Sequence, residues 1–317
     1  MLDSSVMSVR GISRILRLPL FVTAVADSVA GYAVALQPGQ LGTFHWDVAA
    51  LLAGTSTGLY LFGMVENDVA DIRRDRLLKV PRPLVTGEIG FVAATVLLIL
   101  TTVLTGFCAM TLSGGALVLA IAAFVTINLY NLAAKRGPAY VAMAVMGLCR
   151  VLNFSVGVAA ALHGAPKHFS GEWFLLTGPI WVRQGLALFF ATAMVTGYSI
   201  CARNRYTVSS RPWQAVFIVT LVLGIGFWMA SPVLNAVLSS PAQDHAILPT
   251  QFVPPMARVL ALALLATLWP GGLWSPLGPE RQPAEYGPFI ERALYWFIVL
   301  DVAFVADGWL MSLAAGR

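Results

Sequence analysis

From residue 66 to residue 76 the sequence reads Glu-Asn-Asp-Val-Ala-Asp-Ile-Arg-Arg-Asp-Arg, and it continues through Lys79 to Arg82-Pro83-Leu84-Val85-Thr86-Gly87. Five of the fifteen acids, Glu66, Asp68, Asp71, Asp75 and Glu88, fall within twenty-three residues. Asp68, Asp71 and Asp75 are spaced three and four apart, so on a helix they share one face with Asn67 beside it. Three carboxylates so placed repel one another unless they share a cation. Mg²⁺ suits such a place, because it takes one or two carboxylates and fills its remaining positions with water and phosphate oxygens. Arg73, Arg74, Arg76 and Lys79 could reach the same phosphates. The plainer reading is a solvated cap of i,i+4 ion pairs, each contributing a few tenths of a kcal/mol.

A second set of ionisable residues is isolated within apolar sequence. Arg150 has at least a dozen uncharged residues on either side, and Asp27 lies midway along an apolar run. An Arg at the centre of a bilayer costs at least about 2.5 kcal/mol unless it meets a partner or water, so Arg150 should face inward. Asn153 and Gly157 follow at helical spacing on the same face. A salt bridge between Asp27 and Arg150 satisfies both charges. The functional alternative has Asp27 orienting or deprotonating an acceptor while Arg150 or Asn153 lines a substrate cavity. Asp301 and Asp307, in the last apolar run, pair with neighbours or adjoin an aqueous pocket.

The elements that carry these residues follow from composition. Of 317 residues 58% are apolar and only 11% charged, where a soluble chain carries about 25% charged residues. Apolar runs near 18–36, 48–66, 89–111, 114–132, 138–162, 181–202, 213–231, 250–270 and 290–313 predict an all-α polytopic membrane protein of about nine helices. The chain reads as a single transmembrane domain over 1–317, with 1–17 as a cytoplasmic tail. Lys and Arg divide 15 to 4 between the two sides, with Arg150 between them. The positive-inside bias therefore puts the N-terminus in the cytoplasm and the C-terminus opposite, in the cell membrane if the protein is bacterial. The formal charge of +5 belongs to that topology and to contact with lipid headgroups. No basic and aromatic module points to nucleic acid. Cys108, Cys149 and Cys201 form neither a disulfide framework nor a metal pattern.

The pattern Asn-Asp-x-x-Asp-x-x-x-Asp from Asn67 to Asp75, followed by Arg82-Pro83-Leu84-x-x-Gly87, resembles the UbiA superfamily of intramembrane prenyltransferases. That resemblance implies a nine-helix bundle with its catalytic loops on the cytoplasmic side. It also implies that Asn67, Asp68, Asp71 and Asp75 bind a prenyl diphosphate through Mg²⁺, beside Arg82. Tyr130 and Lys135 match a further family feature, although relatives usually place the Lys four residues after the Tyr and here the gap is five. Asp27 and the segment Met146-Gly147-Leu148-Cys149-Arg150-Val151-Leu152-Asn153 are similar to a branch called EboC-like.

The family's second aspartate motif falls after the sixth helix, and here that place reads Thr196-Gly197-Tyr198-Ser199-Ile200-Cys201-Ala202-Arg203-Asn204-Arg205 without a carboxylate. Three accounts stay open. Arg203 and Arg205 clamp the diphosphate directly, the protein binds a prenylated lipid without reacting it, or the two arginines only follow the positive-inside bias. The resemblance implies transfer of a prenyl group to a small, cyclic or otherwise nucleophilic acceptor. Mg²⁺ on the three aspartates would assist ionisation, and Arg74, Lys135, Arg203 and Arg205 would stabilise the departing diphosphate. A non-catalytic prenyl-lipid binding or transport protein of the same fold is the alternative, and an intramembrane cyclase is a third.

Overall fold

A computed structural model describes residues 9–17, 20–36, 44–162, 180–204 and 297–306. Its elements are helices: α1 (Val9–Leu16), α2 (Phe21–Ala35), α3 (Trp46–Leu77), α4 (Pro83–Thr86), α5 (Phe91–Leu112), α6 (Gly114–Leu132), α7 (Ala139–Ala161) and α8 (Ile180–Asn204), with α9 (Phe297–Ala306). In lipid each backbone N–H and C=O must find a partner within its own segment, which leaves a long apolar run only the helix. Four helices, α3, α5, α7 and α6 with the 3-10 turn that extends it to Arg136, are long and apolar enough to cross a membrane. The expected seventh and eighth runs lie outside the described residues. The segment expected as a tail is in part a packed helix, with Ile15 and Leu16 of α1 buried in one cluster with Val65, Leu84 and Ala94.

Packing inverts the soluble pattern. On α5, Val92, Val96, Ile99, Val103, Phe107 and Met110 form an exposed stripe at spacings of three and four residues, while Thr101, Thr105 and Cys108 face the bundle. The outer face meets lipid tails, which are as apolar as the stripe itself. Association between helices must then come from close packing and hydrogen bonds. The turn from α5 to α6 is a single residue, Ser113, whose side chain caps α6 by accepting from the Ala116 N–H at 3.0 Å.

Helices α2 and α7 cross where neither carries a side chain. A Cβ on Gly157 would overlap the Ser28 carbonyl, and one on Gly31 would overlap the Phe154 carbonyl. Backbone cannot give way there as a flexible side chain could. Gly157→Val is therefore expected to force the two helices apart at a cost of about 1–3 kcal/mol, read as a lower unfolding temperature in micelles. Substitution at Gly106, which has open space around it, is the control. The same crossing brings Asp27 opposite Arg150.

Candidate active site

Helix α3 has 32 residues, or about 48 Å at 1.5 Å per residue, against a hydrocarbon core of about 30 Å. Its last turns therefore reach past the core, and they carry the acids. Asp68, Asp71 and Asp75 are 2%, 7% and 9% exposed, all on the inward face that their spacing predicts. They do not splay into solvent. Arg73, Arg74 and Arg76 occupy the exposed side of the same turns, so Arg74, expected at the diphosphate, is not brought to the site.

Each acid faces a cation from elsewhere in the chain. Lys135, itself buried, lies 2.9 Å from Asp71 Oδ2 and donates to Asn67 Oδ1 at 2.9 Å. Arg82 stands between two acids, with Nη1 3.8 Å from Asp68 Oδ1 and Nε 3.8 Å from Asp75 Oδ2. Arg17 Nη2 is 3.6 Å from Asp68 Oδ1. The contacts to Asp68 are longer than a direct charged hydrogen bond, and its Oδ2 is buried without a partner. Among the described residues no three His, Cys, Asp or Glu side chains converge as a metal cluster. The donor set still fits Mg²⁺, which needs only one or two carboxylates where phosphate oxygens and water supply the rest. The unpartnered oxygen of Asp68 is placed to serve as one such ligand.

Local sequence explains how the two arginines get there. Pro83 opens the single turn of α4, Leu84 is buried beneath it, and Gly87 closes it at φ 79°, a left-handed conformation that glycine adopts freely. This turn fixes Arg82, the extended residue that precedes it. Arg17 holds a left-handed conformation at φ 46°, which costs a residue with a Cβ about 1–2 kcal/mol. Its carbonyl accepts from the Leu20 N–H at 3.0 Å and from the Tyr60 hydroxyl at 3.3 Å. Arg14 ties α1 to the same region by pairing with Glu88 and donating to the Pro81 carbonyl at 2.6 Å.

Beneath the acids lies a cavity of about 310 Å³. Arg17, Asn67, Tyr130 and Asn131 line its polar end, and Asp27, Arg150 and Asn153 its inner end. The path between them is walled largely by apolar side chains such as Leu59, Ile127 and Val195. Of the polar residues at the end of α6, Tyr130 and Asn131 reach the cavity. Thr126 and Asn128 instead bond carbonyls one turn back on their own helix. Asn131 also donates to Glu66 Oε2 at 2.8 Å.

At the inner end Arg150 Nη1 lies 2.6 and 2.7 Å from the two oxygens of Asp27, so the expected salt bridge is present. Arg150 also donates to Thr23 Oγ1 at 3.0 Å and stacks on the Phe297 ring, 4.1 Å from its centroid. Asn153 donates to the Ala24 carbonyl at 2.7 Å. Ser56 Oγ is 2.7 Å from Ser28 Oγ and 2.8 Å from Asn153 Oδ1, which ties α3 into the same network. The two residues of the salt bridge also line the cavity.

Thr192, Thr196 and Ser199 line the cavity from one face of α8. The stretch that lacks the expected second set of acids thus begins on a cavity wall. Arg203 stands one turn beyond Ser199 in α8, but its side chain and all of Arg205 lie outside the described residues. Sequence reasoning missed Arg17 and Ser56 as site residues. Arg17 had a legible signal, since Ile12, Ile15 and Leu16 oppose Arg10, Arg14 and Arg17 at helical spacing. Ser56 had none.

A helical bundle with intramembrane ionisable groups and a charged rim over a largely apolar cavity defines a polytopic all-α membrane protein. Its backbone is shared with known structures. A structure of digeranylgeranylglyceryl phosphate synthase aligns with 95% of this chain and 98% of its own at TM-score 0.55 and 15% identity. An apo UbiA homologue from Aeropyrum pernix K1 aligns over 92% and 97% at TM-score 0.56 and 15% identity. A UbiA homologue from Archaeoglobus fulgidus bound to Cd²⁺ aligns over 92% and 99% at TM-score 0.51 and 15% identity. The chain has the fold of the UbiA superfamily. No family model matches the sequence, and neither does any curated protein.

Proposed function

We propose that the protein is a prenyltransferase that moves a prenyl group from a prenyl diphosphate to a small nucleophilic acceptor inside the membrane. One observation carries this reading: a single cavity runs from Asn67 and Arg17, beside the buried aspartates, to Asp27 and Arg150. An anionic head at the first end, an apolar chain against the walls and a polar acceptor reaching in from the second end fit that lining. The names of the solved neighbours add support, since one is a synthase of a prenylated glyceryl phosphate and another binds a divalent cation.

Asp68, Asp71 and Asp75 would hold Mg²⁺, which when bound offsets the charge that builds on the diphosphate as the allylic C–O bond weakens. Lys135, Arg17 and Arg82, now matched to the acids, turn to the diphosphate oxygens and hold them. Tyr130 and Asn67 border the same end of the cavity. The apolar walls seat the isoprenoid tail and keep water from the cation before the acceptor attacks. Asp27, held by Arg150, orients the acceptor from the inner end, with Asn153 beside it, so that the acceptor's nucleophilic atom faces C1. The catalytic rim faces the cytoplasm, where the positive-inside bias puts it.

The test is diphosphate release by purified protein in lipid nanodiscs, supplied with a set of prenyl diphosphates and phenolic or other cyclic acceptors, with and without Mg²⁺. Mg²⁺-dependent, acceptor-dependent release supports transfer. Saturable binding without release favours the prenyl-lipid carrier, and a product without acceptor identifies a cyclase. In the transferase, Arg203 and Arg205 clamp the diphosphate in place of the missing acids. Arg203→Ala with Arg205→Ala is expected to raise KM for the donor and to lower kcat about a hundredfold, the effect of losing charge-stabilising donors in a closed site. Wild-type kinetics in the double variant would refute the clamp.

A further inference from the structure

Asp301, on α9, is 2% exposed, and neither of its oxygens has a hydrogen-bond partner among the described residues. A carboxylate left this way inside a membrane costs several kcal/mol unless it is paired or protonated. Its helix is well anchored. Phe304 packs edge-on to Phe154 at 6.4 Å, and Gln184 of α8 donates to the Phe304 carbonyl at 3.2 Å. Phe297, one turn before Asp301, lies under the Arg150 guanidinium. That register brings Asp301 up to the side chain of Asp27.

Two acceptors therefore meet, and only a proton between them makes the contact favourable. Asp27 is fully buried and Arg150 matches a single negative charge. The titratable groups gathered here, among the described residues, are Asp27 on α2, Cys149 and Arg150 on α7 and Asp301 on α9. From α3 and α8 the neighbouring cavity-lining groups are the uncharged Ser56 and Thr192. With both acids ionised the site would hold a net negative charge away from water. With one proton it is neutral. Like-charged carboxylates at close range generally resolve in this way.

We infer that Asp27 and Asp301 share one proton beside the Arg150 guanidinium and so form a neutral proton-transfer site at the inner end of the cavity. Its use in catalysis rests on the function proposed above, whereas the sharing of the proton does not. In prenyl transfer the new bond forms between C1 of the prenyl group and the nucleophilic atom of the acceptor. The C1–O bond breaks and its electron pair leaves with the diphosphate. The proton that the nucleophilic atom loses passes to the ionised member of the pair, and the site returns one proton to water through the cavity as product leaves. Asp27 lines the cavity and meets the acceptor. Asp301 does not line it and acts through Asp27, as a positioning residue that sets the affinity of Asp27 for the proton.

Infrared spectroscopy of the full chain in nanodiscs at neutral pH tests this without an acceptor. The wild type should show a protonated-carboxyl C=O stretch that moves when the aspartates are ¹³C-labelled. The band should vanish in Asp27→Asn and equally in Asp301→Asn, because Arg150 then matches the one acid left. The amide band of the same spectra reports whether each variant folds, and the labelled wild type decides the matter alone if one does not. A labelled wild type without the band overturns the inference, as does a band that survives in either folded variant. Diphosphate release is measured separately on the same samples. Its absence from a wild type that shows the band overturns the catalytic use and leaves the shared proton standing.

Discussion

Replacement of Asp68 by Asn is expected to lower Mg²⁺-dependent diphosphate release at least about a hundredfold, or about 2.7 kcal/mol of lost stabilisation as charge develops. The side chain keeps its shape and its buried place on α3, so the bundle should remain folded. What is lost is the unpartnered oxygen and the negative charge that two arginines approach at 3.6 and 3.8 Å. An amide offers a divalent cation a far weaker ligand, and its N–H groups would face Arg17 and Arg82. Asp47→Asn, at the exposed opposite end of the same helix, should leave the rate unchanged. Equal rates in Asp68→Asn and wild type would remove the acid cluster from the reaction.

The second large effect concerns stability. Arg150→Met removes the cation that Asp27 bonds at 2.6 Å, together with the donors to Thr23 and the stacking on Phe297. Breaking one side of a buried ion pair generally costs about 3–5 kcal/mol, because the remaining charge is left uncompensated. A fall of that size in unfolding free energy is expected in micelles. Asp27→Leu with Arg150→Met should recover part of it, since both charges of the pair are gone and Asp301 is neutral once protonated. A double-mutant cycle isolates the coupling. An Arg150→Met protein as stable as wild type would mean that water already reaches Asp27.

These expectations show which features a linear reading could carry. Apolar runs found α5, α6 and α7 to within one or two residues, because a lipid-facing helix must be apolar and hydrogen-bonded along its whole length. The three-and-four spacing put Asp68, Asp71 and Asp75 on one face. It likewise joined Arg150, Asn153 and Gly157 on the side of α7 that meets α2. Arg74 lies on the exposed side of the same turns, since helical geometry turns it roughly a quarter of the way round from the acids. The cations that do face them, Arg17, Arg82 and Lys135, come from α1, the segment before α4 and the turn after α6. No spacing rule links groups so far apart in the chain. The contact between Asp27 and Asp301 escaped notice for the same reason, being made across 274 positions of sequence. The part of the expected tail that forms α1 was legible in its periodicity, but Arg10, Arg14 and Arg17 read first as topology signals.

The central claim is that the buried aspartates hold the head of a prenyl diphosphate with its C1 directed into the cavity toward Asp27. Determination of the structure with Mg²⁺ and a non-hydrolysable thiolodiphosphate analogue tests this most directly. The claim predicts metal density at Asp68, phosphate oxygens beside Lys135 and Arg82, and the isoprenoid between Leu59, Ile127 and Val195. An analogue seated elsewhere, with Lys135 still on Asp71 and the cavity occupied by water, would contradict it.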